Sequence, residues 1–132
     1  MHARGLTDAD VVRLRGLAVT SGPQTFLDLS AGLPPQELVA VGDALMRSGH
    51  LPADALVQRL ERVDRVRGVV RARACAPLLS PLAMSRPESV LRYWLMVSDL
   101  PDPQPQVPVR DRWGRVVAHG DLGYEEWRVL LE

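Results

Sequence analysis

Residues 115–132 read RVVAHGDLGYEEWRVLLE, and the parsing of this stretch decides the fold. A strand runs over RVVAHGDLGY, Glu125 and Glu126 turn the chain, and WRVLLE makes a second strand. One acid, Asp121, falls within the first strand, and another, Glu132, ends the second. If residues 124–127 form the turn, Asp121 lies opposite Leu130 and Glu132 is its diagonal neighbour on the same face. His119 then faces Glu132 directly. Gly120 and Gly123 flank Asp121 and are expected to weaken the strand. A strand ending at Glu132 would expose an unpaired edge.

Working back from this hairpin, RWG (112–114) is a turn, and PDPQPQVPVRD (101–111) carries four prolines that forbid a helix. That segment reads as an extended lead-in followed by an edge strand. Before it, SRPESVLRYWLMVSDL (85–100) is a helix. Ser85 and Glu88 have capping-box spacing, and Pro87 suits the first turn. Glu88 shares a helical face with Leu91 and Leu95, a stripe expected to pack on the sheet. The tail is therefore helix, strand, strand, strand.

Upstream the pattern is helical. LTDADVVRLRGLAVT (6–20) is split by Gly16 into two short apolar runs and reads as a small hairpin. Ser21 is a candidate N-cap for a short helix ending near Gly32. A second helix follows two prolines, Pro34 and Pro35, with Leu38, Val41 and Leu45 at helical spacing and Gly49 as a stop. A third carries Leu56 and Leu60 four apart, and a fourth runs through RGVVRARACAPLLS (67–80), ending about Pro77. The proline- and serine-containing stretch over 80–87 marks a boundary. The expected architecture is α+β, with residues 1–80 a mostly helical region behind a small hairpin and residues 81–132 an αβββ unit.

With 132 residues, 46% of them hydrophobic, the chain can bury a core, and disorder over most of its length is not expected. No apolar run reaches the roughly 18 residues of a membrane helix, and the opening MHARGLTDAD lacks a secretory signal pattern. A cytoplasmic location with no membrane partner is the expectation. Cys75 has no second cysteine for a disulfide or a zinc site and reads as a small core residue. All sixteen basic residues are arginine, and they balance sixteen acids. No net field draws the chain to DNA, and no catalytic lysine exists within it.

Two groups of residues are chemical candidates. Glu88, Asp121 and Glu132 are three acids that the αβββ arrangement can bring together, with Asp121 and Glu132 as the metal-holding pair. Convergent carboxylates suit Mg²⁺, which prefers oxygen ligands and can activate water against a phosphodiester. The ordinary alternatives stay open: Glu88 as a capping acid, Asp121 as a strand-end acid, Glu132 as a terminal residue, His119 on the sheet surface. The second group is cationic. Arg59, Arg62, Arg65, Arg67, Arg71 and Arg73 face only Glu61 and Asp64 over the same stretch. Arginine suits phosphate contacts, so this is a candidate nucleic-acid surface. Its alternative is a solvated helical face laced with ion pairs. Trp94, Trp113 and Trp127 read as core or sheet-packing residues.

The motifs RPES.LR, PQPQV.VRD..G and DLGY.EWRV..E in the last third resemble the front half of an actinobacterial endonuclease-like domain, related to very-short-patch-repair endonucleases of the PD-(D/E)XK superfamily. The upstream LAVTSGPQTFLDLSAGLPPQELVAVGDALMRSGHL (17–51) is similar to the helical middle of chains related to AbiEi-type antitoxins. The resemblance implies an incomplete PD-(D/E)XK-like core, in which Glu88, Asp121 and Glu132 stand at the helix acid, the strand acid and the first acid of the final motif. It implies truncation at both ends relative to that family, since a winged-helix segment would precede this region and a second acid or lysine would follow Glu132. A catalytically degenerate DNA endonuclease-like protein is then expected, with Mg²⁺ only if the site functions. The alternative is a non-catalytic DNA- or protein-binding module of toxin–antitoxin kinship. A homodimer formed through the edge strand 127–132 is expected to complete the sheet.

Overall fold

The computed structural model describes residues 6–131. Its elements are the ribbon β1 (Val11–Leu14) and β2 (Leu17–Thr20), and the helices α1 (Gly22–Leu29), α2 (Pro35–Arg47), α3 (Ala53–Glu61) and α4 (Val69–Cys75). Then come α5 (Arg86–Met96) and the strands β3 (Gln104–Arg110), β4 (Val116–Tyr124) and β5 (Val129–Leu131). The fold is α+β, as expected, with a two-stranded and a three-stranded antiparallel sheet.

Local chemistry explains the helix ends. Ser21 caps α1 by accepting from Gln24 N–H, and Pro23 sits in its first turn. Pro35 opens α2, and Gly49 follows it at φ 76°. The core lies among the four front helices, where Phe26, Leu27, Leu38, Leu51 and Leu56 are fully buried. Each such side chain contributes roughly 1.5–3 kcal/mol relative to an exposed one. Gly42 lets α2 come close to its neighbours: a Cβ there would lie 2.5 Å from Leu79 Cδ2 and 2.8 Å from Phe26 Cε2.

α5 departs from the expected stripe. Its buried face is polar, formed by Glu88, Ser89 and Arg92, while Leu91, Trp94 and Val97 are exposed. The cause is across the contact on α2, where Asp43 is fully buried and its Oδ2 accepts from Arg92 Nη2 at 2.6 Å. Arg92 Nη1 also donates to Leu78 O at 2.6 Å, and Asp43 Oδ1 accepts from Ser80 N–H at 2.7 Å. A charge pair out of water persists only with such partners. It turns α5 so that the apolar stripe points outward. The division expected at residue 81 thus falls just before a helix that is packed on α2 and also touches β4.

The three-stranded sheet has the order β3-β4-β5, with proline-bearing β3 on an edge as its composition predicts. The β4–β5 register pairs Leu122 with Leu131, Gly123 with Leu130 and Tyr124 with Val129. Leu130 is therefore opposite Gly123 and not Asp121, a displacement of two residues from the expected pairing. The turn starts one residue later than expected, and Arg128 closes it at φ 53°, a left-handed conformation that arginine does not announce. The glycines of β4 do not break the strand. A Cβ at Gly120 would lie 2.7 Å from Leu130 Cδ2, and one at Gly123 would collide with the Val129 carbonyl, so both make room for β5.

Candidate functional site

Among the acids, Glu88 is buried at the head of α5, where its backbone N–H donates to Ser85 Oγ at 3.3 Å and its Oε2 accepts from Met84 N–H at 2.9 Å. This is the capping role. Its Oε1 is buried without a hydrogen-bond partner among the described residues. Asp121 lies exposed on β4, between buried Gly120 and Leu122, and so points away from the side that carries Leu122. His119 is exposed as well. Glu132 lies outside the described residues. Among the described residues no group of three His, Cys, Asp or Glu side chains gathers to hold a metal ion. Mg²⁺ demands a near-octahedral set of oxygens. A capping carboxylate beneath a helix and an exposed strand acid, the two candidate ligands among the described residues, do not by themselves supply that set.

The six arginines divide sharply. Arg59 on α3 is buried: its Nε lies 2.9 Å from Asp10 Oδ1 and donates to Gln24 Oε1 at 2.8 Å. Arg62 donates to Asp10 Oδ1 at 2.7 Å and to Thr7 Oγ1 at 2.9 Å. Arg71 donates to the carbonyls of Ser30, at 3.1 Å, and Leu33, closing the end of α1. Arg73 does the same for α3, donating to Leu60 O at 3.0 Å and to Val63 O. The expectation of a six-arginine phosphate surface is corrected at Arg59, whose guanidinium is enclosed, and Arg62, Arg71 and Arg73 are committed to their own fold. Arg65 and Arg67 are exposed and have no hydrogen bond or ion pair among the described residues.

Asp10 is the centre of the most connected polar cluster. It is 1% exposed and accepts from Thr7 N–H and Thr7 Oγ1, each at 2.9 Å, besides the two arginines. Burial pushes its carboxyl up. The Thr7 bonds and the guanidinium groups of Arg62 and Arg59 outweigh that and hold it below the ordinary value of 3.8. Asp10 O also accepts from Ser21 N–H at 2.8 Å. This cluster ties both feet of the β1–β2 ribbon to α1 and α3.

The ribbon itself is amphipathic and uncovered. Its register pairs Val12 with Val19 and Leu14 with Leu17, so one face carries those four apolar side chains. They are 36–69% exposed. Val12, Leu14 and Val19 form one wall of a groove of about 1010 Å³, with Pro23, Pro52 and Ala55 on the helical side.

A second exposed feature lies at the β3–β4 turn. Asp111 Oδ1 accepts from Trp113 N–H at 2.9 Å and Arg115 N–H at 3.0 Å, which shapes the turn. Trp113 is exposed there, with the Arg112 guanidinium 3.9 Å from its ring centre and that of Arg115 at 5.4 Å. Reading RWG as a turn alone missed this cluster; the signal was the arginine on either side, in RWGR. Of the two expected roles, core or sheet packing, none of the three tryptophans takes the first, and Trp127 takes the second, packing edge-on against Tyr124 of β4 with ring centres 5.4 Å apart. Cys75 is buried, as a core cysteine should be, and burial pushes its thiol up despite nearby Arg71.

Comparison with protein-family models, curated proteins and solved structures gives no match to this chain.

Proposed function

We propose that this chain is a non-catalytic binding module that works by protein contact, receiving an apolar segment of a partner in the groove beneath its N-terminal ribbon. The observation that carries this reading is the ribbon's apolar face: Val12, Leu14, Leu17 and Val19 stand in water, on strands tied down by the Asp10 cluster. Exposed apolar clusters held in place on a folded body mark interaction surfaces. Among the described residues the two strands also keep free edges that a partner strand can extend. Of the acids that the endonuclease resemblance names, Glu88 caps α5 and Asp121 is exposed on β4, so the described residues add no support to that reading.

A DNA-contacting reading has one observation in its favour. Arg112, Trp113 and Arg115 combine cations with an exposed ring, a pairing that suits phosphate and base stacking.

The test takes wild type and a variant with Leu14→Ser and Leu17→Ser, with circular dichroism to verify equal folding. The protein-binding reading expects a saturable partner, bound by purified wild type and lost in the ribbon variant. It fails if an identified partner binds both equally. Fluorescence anisotropy with duplex DNA is run in parallel on Arg112→Ala and Arg115→Ala; tight, salt-dependent binding that those changes abolish would favour the DNA reading. Plasmid nicking that requires Mg²⁺ and disappears in Asp121→Ala would restore the nuclease.

A further inference from the structure

A cleft of about 640 Å³ lies between the end of α1, the start of α2, α4 and the second half of α5. Small-molecule sites commonly have a volume of this order and a mostly apolar lining with a few polar groups. Pro35, Leu78 and the ring of Tyr93 give the apolar lining here, and Arg67 and Arg71 give the charge. No aspartate or glutamate lines the cleft, although acids and arginines balance over the whole chain. We infer that it binds a small organic anion, with a carboxylate or phosphate head on Arg71 and Arg67 and an apolar body against Tyr93 and Leu78.

Arg71 is half-buried and held by the two bonds from its Nη1 to Ser30 O and Leu33 O. Its Nε and Nη2 make no hydrogen bond among the described residues, and neither is enclosed. Nε and Nη2 are the neighbouring donors of a guanidinium that meet two oxygens of a carboxylate or phosphate side by side. Arg67 is exposed and has no ion pair among the described residues, so its charge is uncompensated where it lines the cleft. A cleft with one sign of charge and apolar walls concentrates ions of the opposite sign.

The walls are set before any ligand arrives. A Cβ at Gly68 would lie 2.4 Å from Ser30 Oγ, so the chain leaving Arg67 runs hard against the end of α1. Arg92 pairs with Asp43 and donates to Leu78 O, which fixes α5 and the Leu78 wall together. Tyr93, its neighbour, packs on the core and edge-on against Trp94, with ring centres 5.3 Å apart. A site formed in advance loses little freedom on binding. The cleft shares no residue with the ribbon groove, and the inference does not rest on the protein-binding reading.

Nuclear magnetic resonance titration of the full chain tests it. Benzoate and phenyl phosphate are the anions, benzamide is the neutral counterpart, and inorganic phosphate is a head without a body. Saturable shifts are expected at the amides of Ser30, Ala31, Arg71 and Ala74 with at least one organic anion, the tighter of the two defining the head group, and added NaCl should weaken binding. Arg67→Gln should weaken it about tenfold. Ala74→Trp, which fills the cleft from its exposed rim, should abolish it. Both substituted side chains are exposed, and circular dichroism verifies that each variant folds. The inference is overturned if neither organic anion saturates, if benzamide binds as tightly as benzoate, or if inorganic phosphate binds as tightly as phenyl phosphate. An affinity that either variant leaves unchanged also overturns it.

Discussion

Asp43 is fully buried with its carboxylate on Arg92, and deleting either partner strands a charge in the interior. Asp43→Ala is expected to destabilise the fold by about 3–5 kcal/mol, measured by urea unfolding. The double change Asp43→Leu with Arg92→Met should recover much of that loss, because paired burial is costly and an apolar pair of similar volume is not. Asp10 gives a pH signature. Its carboxyl is held below 3.8, so its stabilisation is present above that value and is lost as pH falls through the lower folded value. The melting temperature of wild type should exceed that of Asp10→Asn at neutral pH, and the gap should close in acid. A gap unchanged at low pH would mean that the carboxylate charge is not what ties the ribbon down.

At the scale of elements, arginines do the work that glycine or a terminal lysine often does at helix ends. Arg73 reaches back from α4 to carbonyls at the end of α3, and Arg73→Ala should cost about 1 kcal/mol in thermal or denaturant unfolding. The ribbon behaves differently. Leu14 and Leu17 contact water, so Leu14→Ser with Leu17→Ser should change stability by less than about 0.5 kcal/mol while removing the binding surface. A large loss of stability would mean that the apolar face is packed in solution and not free to receive a partner. Helical spacing places Leu91 and Leu95 beside Glu88, but spacing gives a face and not its direction. The direction came from an aspartate 49 positions earlier in the chain.

For the whole molecule, Glu88, Arg59, Arg62, Arg71 and Arg73 serve as structure, while Asp121, Arg65 and Arg67 stay exposed. Titration with Mg²⁺ should leave the melting temperature unchanged; a rise at millimolar metal would indicate a site that binds the folded state. The α+β class and the order of the elements followed from the sequence alone. Proline positions, caps and the shift from helical to alternating spacing act locally, and each reports on a few adjacent residues. The sequence by itself also determined that Cys75 would be a core residue and that β3, with its prolines, would take an edge. Tertiary structure alone decided which arginines remain free, which way α5 faces, how β5 registers against β4, and that an apolar ribbon stands uncovered. Those outcomes depend on partners distant in the chain, Asp10 for Arg59, Asp43 for Arg92 and Leu130 for Gly120, and on a left-handed arginine in the last turn. A guanidinium reads the same in sequence whether it meets solvent, a helix end or a buried carboxylate. Only the packed chain fixes which of these it meets.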